Sequence, residues 1–296
     1  MKKSFKLLGA VLCILALPIC GQNRETDYLS HVLEKMNAVE SVTYHCVKKA
    51  WEPGDKEPVY SVPTEIYEHV NPQDTAVGYS FLCASDKEFR QPLWVYDGTV
   101  FAYIEKEEKE VRIDDFTQKS PLPFRVIMPQ AFGCMKSILE YVLNTQDSIV
   151  LSLKDEGKDY LMELSIHTPY QVEFFGKACY MPQNPYIYDP TSIYKIWISK
   201  ENDMPYRYRR EMQHSISEGI CSDFVYNPSG KGKIVAEDYY PADYVRRIKG
   251  EKSQKATVDM TGKKAPDWTL TDMKGQKVSL SGIKSKVILL LSLIHI

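Results

Sequence analysis

The sequence predicts an α+β fold: an antiparallel half-barrel packed on one or two helices, followed near the C-terminal end by the first strands of a separate α/β region. Three observations carry this. Only residues 26–39 and 131–143 show apolar residues at helical spacing. Most of what lies between and after them alternates apolar and polar residues between turn signals, as half-buried strands do. Beyond a polar stretch at residues 250–257 the texture changes again, to a short hairpin and then a continuously apolar run.

The first residues, Met1-Lys2-Lys3, precede an apolar run from Leu7 to Ile19. A positive start and a short apolar core make a secretory signal, assigned to residues 1–21. The run is shorter than the roughly 20 apolar residues a membrane-spanning helix needs. Cleavage after Cys20 or Gly21 gives a soluble exported protein. The alternative is a lipid anchor on Cys20, because Leu17-Pro18-Ile19-Cys20 loosely resembles a lipobox, although Ile19 is bulkier than the usual residue there. The net charge of −2 and the lack of a basic block point away from nucleic acid as a partner.

Residues 24–249 form the predicted N-terminal domain. Tyr28, Leu29, Val32, Leu33 and Met36 make one face of a helix over Thr26 to Val39. Strands follow over Ser41 to Lys49, Thr64 to Val70, Val77 to Cys83 and Leu93 to Val95. Asp97-Gly98 is a hairpin signal that returns the chain through Thr99 to Ile104. The mixed charges of Glu105 to Glu110 suit a solvated hairpin tip, and Ser120-Pro121-Leu122-Pro123 breaks the pattern. A second helix covers Ala131 to Leu143. Further strands are expected over Ser148 to Lys154, Tyr160 to His167, Ile193 to Ile198, Tyr206 to Met212 and Ile220 to Tyr226. Asp243 to Lys249 reads as a short helix.

Residues 250–257 read as a linker and 258–296 as the start of a second domain. Trp268 and Leu270 alternate with polar residues, Asp272 to Gly275 turns the chain, and Val278 and Leu280 return it. Val287 to Leu291 is the kind of run found in strands buried on both faces. Gly262, Ala265, Pro266, Trp268, Leu270, Asp272, Gly275, Val278, Leu280, Lys284 and Lys286 match in order the opening of thioredoxin-like domains. The stretch therefore resembles redoxins of the TlpA/ResA type (AhpC/TSA-like). That resemblance implies an exported thiol–disulfide oxidoreductase whose partners are protein thiols and disulfides. It also implies a C-x-x-C after the apolar strand, the first Cys the nucleophile and the second the resolver. No C-x-x-C occurs in the sequence, so catalytic residues are assigned to none of its positions and the chain itself is expected to be inactive in thiol exchange. The final residues 291–296 resemble adapter read-through, and the frame is expected to continue past Ile296 into the dithiol.

A weaker resemblance concerns the N-terminal domain. The run from Ile193 to Arg207, apolar-polar alternation followed by a Lys, a Pro and an Arg, is similar to the later strands of the lipoprotein-carrier (LolA-like) fold. It implies a cell-envelope binding protein, holding a lipophilic ligand or a protein partner on a concave apolar face. A closed core acting as a spacer is the other reading of that domain.

The remaining candidates carry less. Cys46, Cys83, Cys134, Cys179 and Cys221 are too widely spaced for a disulfide framework and read mostly as small buried hydrophobes, with one or two pairs at most. His31, His45, His69, His167 and His214 fall in no metal motif, so no metal or other cofactor is assigned. The tyrosines from Tyr170 to Tyr208 read first as strand residues and second as the lining of a sugar or peptide site. Gly230-Lys231-Gly232-Lys233 lacks phosphate-loop spacing and reads as a turn.

Overall fold

The computed structural model describes residues 19–128, 130–251, 262–272 and 274–285. The signal segment up to residue 18 and the apolar run from Val287 lie outside these. The chain divides into two compact units, 1–251 and 252–296.

In the first unit, helix α1 (Ile19–Asn37) leads into β1 (Ser41–Trp51), β2 (Tyr60–Val70), β3 (Tyr79–Ala84), β4 (Pro92–Tyr96), β5 (Phe101–Glu105) and β6 (Glu110–Asp114). Helix α2 (Ala131–Asn144) follows. Then come β7 (Val150–Asp155), β8 (Asp159–Ile166), β9 (Tyr170–Val172), β10 (Ala178–Tyr180), β11 (Ser192–Ser199), β12 (Met204–Met212), β13 (Ser215–Tyr226) and β14 (Val245–Ile248). Twelve of these strands make one sheet in the order β14-β6-β5-β4-β3-β2-β1-β13-β12-β11-β8-β7. It is two meanders that grow outwards from β1 and β13, which pair antiparallel. Only β14 lies parallel to its neighbour, β6. Strands β9 and β10 pair separately.

Both helices pack on one face of the sheet. Leu29, Val32 and Met36 of α1 and Phe132, Met135, Ile138 and Leu139 of α2 are fully buried there. They meet Tyr44, Cys46, Ile66, Phe81, Tyr96, Leu164, Tyr194 and Ile196 of the sheet. Helix α2 follows the long loop after β6, and a buried carboxylate fixes where it starts. Glu68 of β2 accepts from the backbone N–H groups of Phe132 and Gly133, each at 3.0 Å, and from the Tyr44 hydroxyl. These N–H groups have no partner within the helix, and the helix dipole favours an anion at this end. Gly133 leaves room for the carboxylate: a Cβ there would stand 2.9 Å from Glu68 Oε2.

The second unit is small. Strands β15 (Thr269–Thr271) and β16 (Lys277–Ser279) form a hairpin in which Leu270 opposes Val278. Asp272 holds the turn by accepting from the N–H groups of Lys274 and Gln276. A single 3₁₀ turn, Leu280–Gly282, follows.

The architecture corrects the fold class expected from sequence. Among the described residues the chain is mostly one large sheet, almost wholly antiparallel, with two α-helices and no thioredoxin-like α/β domain. The residues that matched a redoxin opening build a hairpin whose described residues are exposed or half-exposed. Short-range alternation specifies such a hairpin equally well without any domain behind it. Asp243 to Lys249 is not a helix: Val245–Ile248 is strand β14, because β6 offers it an open edge and Arg247 bonds Glu110 across the pair. Helix α1 already includes Ile19, seven residues before the expected Thr26.

Candidate functional site

Strands β5 and β11 are seven strand spacings apart in the sheet. At about 4.8 Å per spacing a flat sheet would separate them by about 34 Å. Yet Tyr103 of β5 and Tyr194 of β11 line the same cavity, so the sheet curls around it. The cavity measures about 660 Å³, within the range of small-molecule sites.

Its wall is mostly apolar. Trp94 and Phe101 come from β4 and β5, Ile138 from α2, and Tyr208 and Met212 from β12. The loop before α2 closes one side with Leu122, Phe124, Val126, Ile127 and Met128. Sequence reading took that loop only as a break. Its signal was the alternation Leu122, Phe124, Val126, Met128, a strand-like pattern without strand partners. Trp94 and Tyr103 stack with ring centroids 6.3 Å apart. Tyr208 lies over Gly219 of β13, where a Cβ would come within 2.3 Å of the ring, so glycine is required at that point of the wall. Tyr60, Tyr103, Val126 and Met128 line the cavity and are also exposed, which makes an apolar mouth. A second space of about 490 Å³ adjoins the first, sharing Gln171, Met181, Met212 and His214. The Pro/Tyr-rich loop from Met181 to Pro190 lines it, with Tyr186 and Tyr188 turned out into solvent.

Polar groups in the wall are few and placed. Lys48 of β1 is 4% exposed, and its Nζ donates to Gln130 Oε1 at 2.6 Å and meets Met128 Sδ at 3.6 Å. Arg210 donates to Glu173 at 2.7 Å, an ion pair that holds the guanidinium pKa up despite its burial. Burial and the neighbouring Arg210 push the His214 imidazole below its ordinary pKa, so it is neutral at pH 7.

Cys46, Cys83, Cys134, Cys179 and Cys221 are free thiols. Burial pushes Cys83 and Cys134 up to about 12, which leaves them unreactive. Cys46 and Cys221 are direct neighbours across β1 and β13; a hydrogen bond from Cys221 and the charge of Lys48 lower the Cys46 thiol, while burial raises Cys221. No redox motif forms around them, and the thiol–disulfide activity implied by the redoxin resemblance has no support. Among the described histidines only His214 lines the cavity. His31 pairs with Asp203, His45 with Glu65, and His167 meets Thr191. Among the described residues no cluster of His, Cys, Asp or Glu could hold a metal ion. Of the tyrosines singled out from sequence, Tyr194 and Tyr208 stand in the cavity wall, and Tyr170 and Tyr180 pack edge to face in the β9–β10 pair. Lys231 lies 4.0 Å over the Phe89 ring, and the neighbouring Gly232 carbonyl accepts from Tyr67, so that segment is a packed turn.

No family model matches the chain, and no curated protein matches it. Among solved structures it is similar to LprF from Mycobacterium bovis, with a TM-score of 0.36 and 10% identity over 71% of this chain and 98% of that one. It is similar to the lipoprotein LppX of Mycobacterium tuberculosis, at 0.36 and 9% over 72% and 100%. A third is a putative outer membrane lipoprotein-sorting protein domain from Vibrio parahaemolyticus, at 0.35 and 7% over 72% and 95%. Likeness at this level carries no argument about what the cavity holds, which rests below on the cavity itself.

Proposed function

We propose that this chain is a cell-envelope binding protein whose curled sheet holds a lipophilic ligand. The observation that carries this is the cavity of about 660 Å³, walled by aromatic, aliphatic and methionine side chains, with an apolar mouth. A closed spacer would fill such a space, because an apolar void forfeits packing contacts on every side. An apolar ligand restores them and removes its own surface from water. The envelope location follows from the signal-like start, Lys2-Lys3 and Leu7 to Ile19. No helix among the described residues is long and apolar enough to cross a membrane.

The test is titration with N-phenyl-1-naphthylamine, a neutral apolar dye that brightens when it leaves water. Saturable binding is expected, weakened about tenfold by Phe101→Asp, since loss of an apolar contact and burial of a charge both oppose the dye. Trp197→Ala, on the outward side of β11, should leave the titration unchanged. Absence of saturable dye binding, or equal loss in both variants, rules the reading out.

A further inference from the structure

We infer that the ligand is an anionic amphipath, its carboxylate or phosphate head held at Lys48 and its chain lying against Phe101, Tyr103, Phe124 and Val126. The inference rests on the lipophilic-ligand reading and adds the chemistry of the head.

Charge balance in the wall points to an anion. Both acidic residues of the lining are already matched: Glu173 by Arg210 at 2.7 Å, and Glu218 by Arg207 at 3.2 Å and Arg209 at 3.0 Å. Lys48 and Lys49 are also in the lining, and among the described residues neither has a carboxylate within ion-pair distance. The buried Glu68 is near enough to feel Lys48, but its two oxygens serve Tyr44 and the start of α2.

Lys48 is the sharper of the two. An ammonium has three donors, and the partners of Nζ are a neutral amide oxygen and a thioether, the second a weak acceptor. A charge 96% removed from water with no carboxylate at ion-pair distance is costly, and a methionine would pack in the same space without that cost. An arriving anion removes the cost and takes up the unused donor capacity. The apolar remainder of the wall excludes a small inorganic anion as the whole ligand, because it would leave the aromatic part of the cavity empty. Trp94, over whose ring Lys48 Nζ lies 5.4 Å from the centroid, also lines the cavity and can report occupancy by its fluorescence.

The experiment compares cis-parinaric acid with its methyl ester on the whole chain, then displaces the acid with oleate, oleoyl lysophosphatidate and oleyl alcohol. The acid should bind about tenfold tighter than the ester, the size expected of a charge-assisted hydrogen bond in a dry site. Lys48→Met should bring acid and ester to parity, and Lys48→Arg should keep the preference. Whichever of oleate and lysophosphatidate displaces better identifies the head as carboxylate or phosphate, and either result supports the inference. Equal affinity for acid and ester in the unmodified protein overturns it and leaves the lipophilic reading standing. Failure of acid and ester alike overturns both. Should Lys48→Met not fold, the acid-to-ester ratio of the unmodified protein decides the question alone.

Discussion

Strands β3 and β11 both send alternate residues to the helices, yet they treat the other face in different ways. In β3, Phe81 and Cys83 join the core under α1 and α2, while Leu82 and Ala84 join a second apolar cluster with Ile234, Ala236 and Tyr240 of the segment before β14. In β11, Tyr194, Ile196 and Ile198 face the helices, while Lys195 and Trp197 face outward. There Lys154, Glu163, Lys195, Glu211, Arg209, Glu218 and Arg207 run as a ladder of ion pairs across β7, β8, β11, β12 and β13. Trp197 and Trp51 lie under Arg207 and Arg209 at 4.0 and 4.7 Å. One wing is a three-layered packing and the other a two-layered one with a polar outer skin. The wings should therefore differ in how much a single side chain contributes to stability.

The largest effect is expected in the three-layered wing. Leu82→Ala, at a site 1% exposed, should destabilise by about 2–5 kcal/mol, and Ile234→Ala by a similar amount, because each leaves a void in a cluster that cannot easily collapse. Urea unfolding gives both numbers. A loss under about 1 kcal/mol at both sites would mean that the segment before β14 does not cover the sheet in solution.

Glu218→Gln comes next, at about 1–3 kcal/mol. Its carboxylate is 4% exposed and serves two arginines, so it is the one member of the ladder that water does not screen. Thermal unfolding at low and high salt checks this: the loss should persist at high salt. Glu163→Gln, nearer solvent and 3.8–3.9 Å from Lys154 and Lys195, should cost less than about 0.5 kcal/mol and vanish with salt.

A finer contrast lies under the helices. Burial raises the Glu68 carboxyl above the ordinary glutamate range, and the hydrogen bonds from Tyr44, Gly133 and Phe132 oppose this only in part. A carboxyl raised in the folded state contributes stability that is fully present below its unfolded pKa of about 4.3 and is lost as pH rises through the folded value. Stability should thus fall from this group as pH increases from mildly acid towards neutral, and Glu68→Gln should flatten that fall. Parallel urea midpoints in the two proteins across pH 4 to 7 would falsify the assignment.

The places where sequence reading held and failed follow the same physics. The apolar faces of α2 and of most strands were legible because periodicity is local: Phe132, Met135, Ile138 and Leu139 recur at helical spacing and are all buried. The Asp97-Gly98 turn was legible for a similar reason. Gly98 takes a φ of +97° and Asp97 accepts from the N–H groups of Thr99 and Val100. Strand β14 was misread because a four-residue run has no period of its own and waits for an edge to pair with. The C-terminal hairpin shows the limit of such patterns: the alternation around Leu270 and Val278 specifies the pair of strands and not a domain behind it.

By itself the sequence determined the two helices, the alternation of the strands and the turns between them, since these depend on contacts a few residues apart. Tertiary structure alone decided that β1 and β13, whose paired residues run from Trp51↔Ile216 to Val42↔Tyr226 and lie far apart in sequence, would join two meanders into one sheet. It alone decided that the sheet would curl until β5 and β11 shared a cavity. The same curl placed Lys48 inside the wall with no carboxylate at ion-pair distance. In the sequence that residue is one of two consecutive lysines on a strand; its isolation from water is a property of everything folded around it.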